Sequence, residues 1–305
     1  FLAGLSIKPK AVQGFRGWGA FLYKNVLALM APYFVWGLVY APFSYPDMGA
    51  LFYGSWEALN RMETLTSLWY LPCFFISRVL VQIVVNIAGY AKVKNMPLWC
   101  GICALPLLAA GLLLPHGENG VLWCADIALA AGGFILLGIA VRKSCLVMAQ
   151  QKTLWLILSF IGSLLLFCAG TVFRGEGLAL SLMCKSDYGN RLWFLYNSVF
   201  GSLAVLTVSM LISRLSRESA RPFKIDAVTC IGRQTMGIYL LHKPFLQQVI
   251  LPALSGIFPG DFPFLAIALM GSILALLFSI AMCYIIGKFI PQLLGRFPRN
   301  EWAKG

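Results

Sequence analysis

The sequence predicts an all-α fold, a polytopic transmembrane helical bundle, on three observations. Hydrophobic residues make up 60% of the 305 and charged residues only 11%, where a soluble domain carries about 25% charged residues. Mean hydropathy is +0.81. Several apolar runs reach the roughly 20 residues that a helix needs to cross a hydrocarbon core of about 30 Å, and none alternates with the period of a strand. Helices must then satisfy the backbone inside the bilayer.

In order along the chain, FLAGLSI runs straight from Phe1 into the basic stretch Lys8 to Arg16. This reads as the tail of a helix that begins upstream, since a secretory signal would place its basic residues before the apolar ones. Eight spans follow: Asn25 to Pro42, Ser67 to Tyr90, Pro97 to Leu114, Gly120 to Val141, Thr153 to Phe173, Leu192 to Ser213, Thr235 to Ile257 and Phe264 to Ile290. Trp69 and Tyr70 stand just inside an outer span end, where aromatic belts form. The nine cysteines are scattered through apolar runs as small hydrophobes. Cys100 and Cys103 make a CxxC, but without the further ligands of a zinc site or the context of a redox pair it reads as packing.

Lysine and arginine fix the orientation, because cytoplasmic loops retain positive charge. Alternate loops at 8–24, 92–94, 142–152, 214–233 and 288–304 hold 18 of the 24 basic residues. The opposite loops hold only Arg61, Arg174, Lys185 and Arg191, with most of the acids, among them Asp47, Glu57, Glu118, Glu176 and Asp261. Both visible ends are therefore expected on the cytoplasmic side. The net charge of +13 is spread over short loops facing anionic lipid and does not form the patch of a nucleic-acid binder.

Polar groups inside spans are expensive and mark function or helix pairing. Arg78, Gln82 and Asn86 recur at four-residue steps and share one helical stripe. Arg78 is expected either to hold an anion, a phosphate or a developing oxyanion, or to form an ion pair with Asp126. His242 is expected either to act as a base or to hydrogen-bond a neighbouring helix, and Lys243 either to snorkel or to meet an anionic donor. His116, in a short outer loop, reads as solvated. Two histidines so far apart, with no acidic cluster, argue against a metal, and no phosphate-loop or nucleophile-elbow signature is present.

Six stretches in the same order carry a family resemblance: FLAGLSIKPK; APYFVWGLVY after a basic loop; SLWYLPCFFISR; WCADIALAAGGFILLGIAVRK; DYGNRLWFLYNSVFGSLAV; and IGRQTMGIYLLHKPFL. Together they resemble the acyltransferase-3 family of membrane O-acyltransferases, with DYGN and GSLAV closest to its fucose 4-O-acetylase-like branch. The resemblance implies one membrane domain over 1–305, N-terminally incomplete, with eight visible spans of an expected ten, in the bacterial cytoplasmic membrane. It implies an O-acetyltransferase that moves an acyl group from acetyl-CoA to a hydroxyl of a cell-surface or lipid-linked sugar, with the family's catalytic histidine expected ahead of Phe1. Its partners would be membrane lipid and a carbohydrate or glycolipid acceptor, without nucleic acid or metal. Arg78 and His242 are then the catalytic candidates, with His242 in a supporting role, and Lys24, Arg142, Lys143 and Lys243 the candidates for the donor's phosphates. A transporter or flippase of a glycan or lipid-linked sugar is the alternative, and broken helices and inverted repeats would favour it. A third reading is a structural or sensory subunit without chemistry.

Overall fold

The computed structural model describes residues 1–41, 48–173, 183–218, 229, 231–257 and 264–296. Asp47, Arg174, Glu176, Arg221, Lys224, Asp261, Arg299 and Lys304, all used in the charge argument, lie outside the described residues. Among the described residues every regular element is a helix. Seven helices are long and apolar enough to cross a membrane: Gly14–Tyr40, Thr64–Tyr90, Met96–Leu113, Leu122–Ala149, Thr153–Val172, Arg191–Leu215 and Ala266–Phe289. These match seven of the eight predicted spans, several running further past the apolar core than expected. The eighth, Thr235 to Ile257, is helical but is not one of the seven. Its His242, Lys243, Gln247 and Gln248 dilute its hydropathy, and Pro244 sits inside it. The protein is an all-α, polytopic helical bundle.

The chain divides into two compact units. Unit one comprises 1–12, 76–117 and 125–225, and unit two 13–75, 118–124 and 226–305. The helices are α1 (Leu2–Ser6), α2 (Gly14–Tyr40, with a π turn at Val26–Met30), α3 (Met48–Tyr53) and α4 (Trp56–Asn60). A 3-10 stretch at Glu63–Trp69 leads into α5 (Tyr70–Tyr90), followed by α6 (Met96–Leu113), α7 (Ala125–Ala149), α8 (Thr153–Val172) and α9 (Arg191–Glu218). Then α10 (Thr235–Phe245) continues through a π turn at Leu246–Ile250 into α11 (Leu251–Ile257), and α12 (Phe264–Phe289) follows.

Unit one is built from long, regular helices that pair through small residues. Gly4 of α1 and Gly138 of α7 meet backbone to backbone, and a Cβ on either would collide with the partner helix. Gly111 of α6 lies equally close against Ala130 of α7. Such close approach is how helices gain contact where lipid removes the hydrophobic drive to associate. DYGN is a turn followed by a helix cap: Asp187 Oδ1 accepts the Gly189 N–H, and Asn190 Oδ1 accepts from Leu192 N at 3.1 Å and Trp193 N at 3.3 Å at the start of α9. Arg191 Nε donates to the Leu112 carbonyl (2.7 Å) near the end of α6, which meets one of the acceptors a helix end leaves open.

Unit two is less regular, and its aromatic residues compensate. Tyr33, Trp36 and Tyr40 are buried on one stripe of α2, and each donates to a main-chain oxygen. Tyr33 Oη reaches Leu51 O at 2.5 Å, Trp36 Nε1 reaches Leu293 O at 2.8 Å, and Tyr40 Oη reaches Leu240 O at 2.9 Å. The last bond has a clear cause. Pro244 has no N–H to give to the carbonyl four residues before it, and the Tyr40 hydroxyl supplies the missing donor to Leu240. The core around this stripe includes Leu51, Leu59, Leu65, Leu68, Leu71 and Leu240, all fully buried.

Candidate functional site

In unit one, α5 carries the predicted polar stripe, but its three members do different things. Asn86, buried, makes a two-point pair with Val12: its Oδ1 accepts the Val12 N–H at 2.8 Å and its Nδ2 donates to the Val12 carbonyl at 3.0 Å. Gln82 Nε2 donates to the Lys10 carbonyl and to Asn86 Oδ1, both at 2.9 Å. A Cβ on Gly89, further along α5, would collide with Ala11. These three positions thus hold the extended segment before α2, whose backbone has no helix to satisfy it. Arg78, half-buried, makes no hydrogen bond or ion pair among the described residues. It is the one member of the stripe available to a ligand.

The ion pair between Arg78 and Asp126, the alternative to anion binding, is not formed. Asp126, in the first turn of α7, instead pairs with His116 Nδ1 at 2.6 Å and accepts from Ser186 Oγ at 2.7 Å, both through Oδ2. His116 is correspondingly not a solvated loop residue: its side chain is 18% exposed and that of Asp126 3%. The chain after α6 turns back over the start of α7, where a carboxylate is well placed against the positive end of the helix dipole.

In unit two, His242 lies on α10 with Nδ1 2.8 Å from Tyr239 O and 3.1 Å from Ile238 O. A carbonyl only accepts, so Nδ1 carries the proton and the neutral ring keeps its basic lone pair at Nε2. Tyr239 is half-enclosed by aromatics: its ring meets Tyr70 edge to face at 5.5 Å, Tyr70 stacks on Phe74 at 5.5 Å, and its hydroxyl donates to the Ser67 carbonyl. Trp69 packs against the unit two core, so Trp69 and Tyr70 belong to this cluster as well as to a span end.

The phosphate candidates are dispersed. Lys24, exposed on α2, and Lys243, on α10, belong to unit two, while Arg142 and Lys143 are neighbours on α7 in unit one. Arg142 Nη1 donates to the Ile7 carbonyl at 3.3 Å, which ties it to the segment that carries Lys8 and Lys10. The cleft of about 510 Å³ between α6 and α9 is walled mainly by Ala109, Leu112, Leu113 and Leu195, and its Asn190 and Arg191 already cap helix ends. Among the described residues no group of three or more His, Cys, Asp or Glu is placed to hold a metal ion, and the eight described cysteines form no disulfide with one another.

Sequence reasoning missed the pairing of His116 with Asp126. The two are ten positions apart across a helix boundary, and no motif spacing connects them. A search for any carboxylate at the start of a span next to a loop histidine would have raised the pair.

A family model described as an acyltransferase domain, Acyl_transf_3, matches residues 1–286. The chain belongs to the acyltransferase-3 family. No curated protein and no solved structure matches it. The match to this acyltransferase covers both units, including Arg78, His116, Asp126 and His242, and together with the seven apolar helices it makes the protein a multi-pass membrane acyltransferase.

Proposed function

We propose that the protein is an O-acetyltransferase of a bacterial cytoplasmic membrane that moves the acetyl group of acetyl-CoA to a hydroxyl of a cell-surface or lipid-linked sugar. The family match over 1–286 carries the reading. The loop charges support an orientation with the basic loops in the cytoplasm, where acetyl-CoA would approach. Lys24, Arg142, Lys143 and Lys243 are the proposed contacts for its phosphates, Arg142 and Lys143 beside the basic segment at Lys8 and Lys10.

Acyl transfer to a hydroxyl needs a base for the departing proton and a positive group for the oxyanion that forms on the acyl carbon. Arg78 is assigned the second role. It sits at depth on a membrane helix without a partner among the described residues, and an arginine there is costly unless an anion meets it. His242 is assigned a supporting role, its ring fixed by the backbone of α10, with Lys243 beside it.

The test is transfer itself. Membranes containing the full chain, given radiolabelled acetyl-CoA, should place alkali-labile label in the glycan or glycolipid fraction, and control membranes should not. Label retained wholly in acetyl-CoA, or released only as free acetate, would refute the reading.

A further inference from the structure

The cleft between α6 and α9 in unit one has no part in the proposed function. It lies where α6 ends and α9 begins, and its volume of about 510 Å³ falls in the range of about 300 to 1,000 Å³ in which sites for small ligands lie. Leu112, Leu113 and Leu195 wall it, and Ala109 and Gly189 leave the room, since neither carries a side chain long enough to cross it. Leu113 at 64% exposure and Leu192 at 78% flank the opening. Apolar walls of this kind, at the ends of two helices long and apolar enough to cross a membrane, suit hydrocarbon.

One charge stands at the rim. Arg191 Nε donates to the Leu112 carbonyl at 2.7 Å, which fixes the plane of the guanidinium, while its Nη1 and Nη2 donors have no partner among the described residues. Capping that carbonyl requires only a neutral N–H, so the bond accounts for the position of the side chain and not for its charge. Asn190 turns Oδ1 to the N–H groups of Leu192 and Trp193, which leaves its amide Nδ2 as a further donor. Asp187, the acid of this turn, accepts the Gly189 N–H at 3.2 Å through Oδ1. A fixed guanidinium with both terminal nitrogens open matches the oxygens of a phosphate.

We propose that the cleft binds one anionic phospholipid of the outer leaflet, with part of an acyl chain against Ala109, Leu113 and Leu195 and the headgroup phosphate on Arg191. The apolar walls and the single cation follow the order in which a phospholipid presents its chain and its phosphate, and the loop charges place this end of the helices on the outer side. A soluble phosphate would use Arg191 but leave the walls unoccupied. A zwitterionic lipid would bring its own cation to a guanidinium that already supplies one. Binding here does not depend on acyl transfer and uses none of the residues assigned to it.

The test is lipid retention by the purified full chain in neutral detergent, given phosphatidylglycerol or phosphatidylcholine with the same acyl chains and followed by native mass spectrometry. One phosphatidylglycerol should be held about tenfold more tightly than phosphatidylcholine, the factor that a hydrogen bond to a charged group supplies. Arg191→Gln keeps an N–H for the Leu112 carbonyl but removes the charge, and should bring the two lipids level. Ala109→Phe fills the cleft and leaves Arg191 in place, and should lower retention of phosphatidylglycerol about tenfold by excluding part of its chain. Equal retention of the two lipids by the unaltered protein overturns the proposal, as does a preference that survives Arg191→Gln or retention that Ala109→Phe does not change. Should Arg191→Gln not fold, Ala109→Phe decides alone. Glycerol phosphate, which has the anion without the chains, should not compete at matched concentration. Competition by it would make the cleft a site for a free anion, and displacement of the phospholipid by an equal amount of polyprenyl phosphate would make it a site for a lipid-linked carrier; either result overturns the assignment to phospholipid. No readout involves acyl transfer, so failure of the proposed function would leave this result standing.

Discussion

The two units use their polar side chains differently. In unit two, Tyr33, Trp36, Tyr40, Tyr239 and His242 all turn to main-chain carbonyls. The cause lies in its backbone: two π turns, 3-10 stretches and Pro244 inside α10 leave acceptors that a regular helix would satisfy itself. The long helices of unit one are more regular, although Pro106 also sits inside α6. Some of its polar side chains serve the main chain where it is not helical or a helix ends, as with Gln82, Asn86 and Arg191, and others, such as Trp99 and Ser77, reach carbonyls of a neighbouring helix. What is left over is a side-chain cluster, His116 with Asp126 and Ser186, and Arg78 by itself. In a membrane protein an irregular backbone has first claim on polar side chains, so the candidates for chemistry are those it does not claim.

Replacing Arg78 tests that division most severely. Arg78→Ala should lower acetyl transfer about 100-fold or more, as loss of an oxyanion contact does, while the protein still inserts in the membrane. Activity equal to wild type would leave unit one with no special standing. His242→Ala should have a smaller effect, about tenfold, equivalent to roughly 1.4 kcal/mol of positioning in the transition state. Complete loss of transfer would make His242 the base and reverse the comparison. Tyr40→Phe should barely change transfer but should cost about 1 to 3 kcal/mol for leaving the Leu240 carbonyl unpaired, seen as a lower unfolding midpoint in detergent. A midpoint that does not move would show that this carbonyl needs no donor.

The fold was largely legible because membrane helices announce themselves by length and hydropathy, and seven of the eight predicted spans are present as long apolar helices. The segment around His242 was harder: its polar residues and Pro244 weaken the apolar signal, and only the structure shows the π turn that follows. For the site, the stripe of Arg78, Gln82 and Asn86 was visible from its spacing, but spacing does not show which member has a partner. Gln82 and Asn86 hold Lys10 to Val12, a segment more than 70 positions away, and only Arg78 is left. The pairing of Asp126 with His116 instead of Arg78 depends on how the chain turns between α6 and α7, which no periodicity records.

The grip of Asn86 on Val12 has a consequence for how this stretch can vary. Both hydrogen bonds go to main-chain atoms, so they recognise a position along the chain and are indifferent to the side chain there. A substitution at 12 by any residue but proline, which has no N–H to donate, leaves the pair intact. An inserted or deleted residue between α1 and Val12 would instead offer Asn86 a neighbouring peptide and shift Lys8 and Lys10 by one place along the chain. The stretch tolerates a change of letter more readily than a change of length.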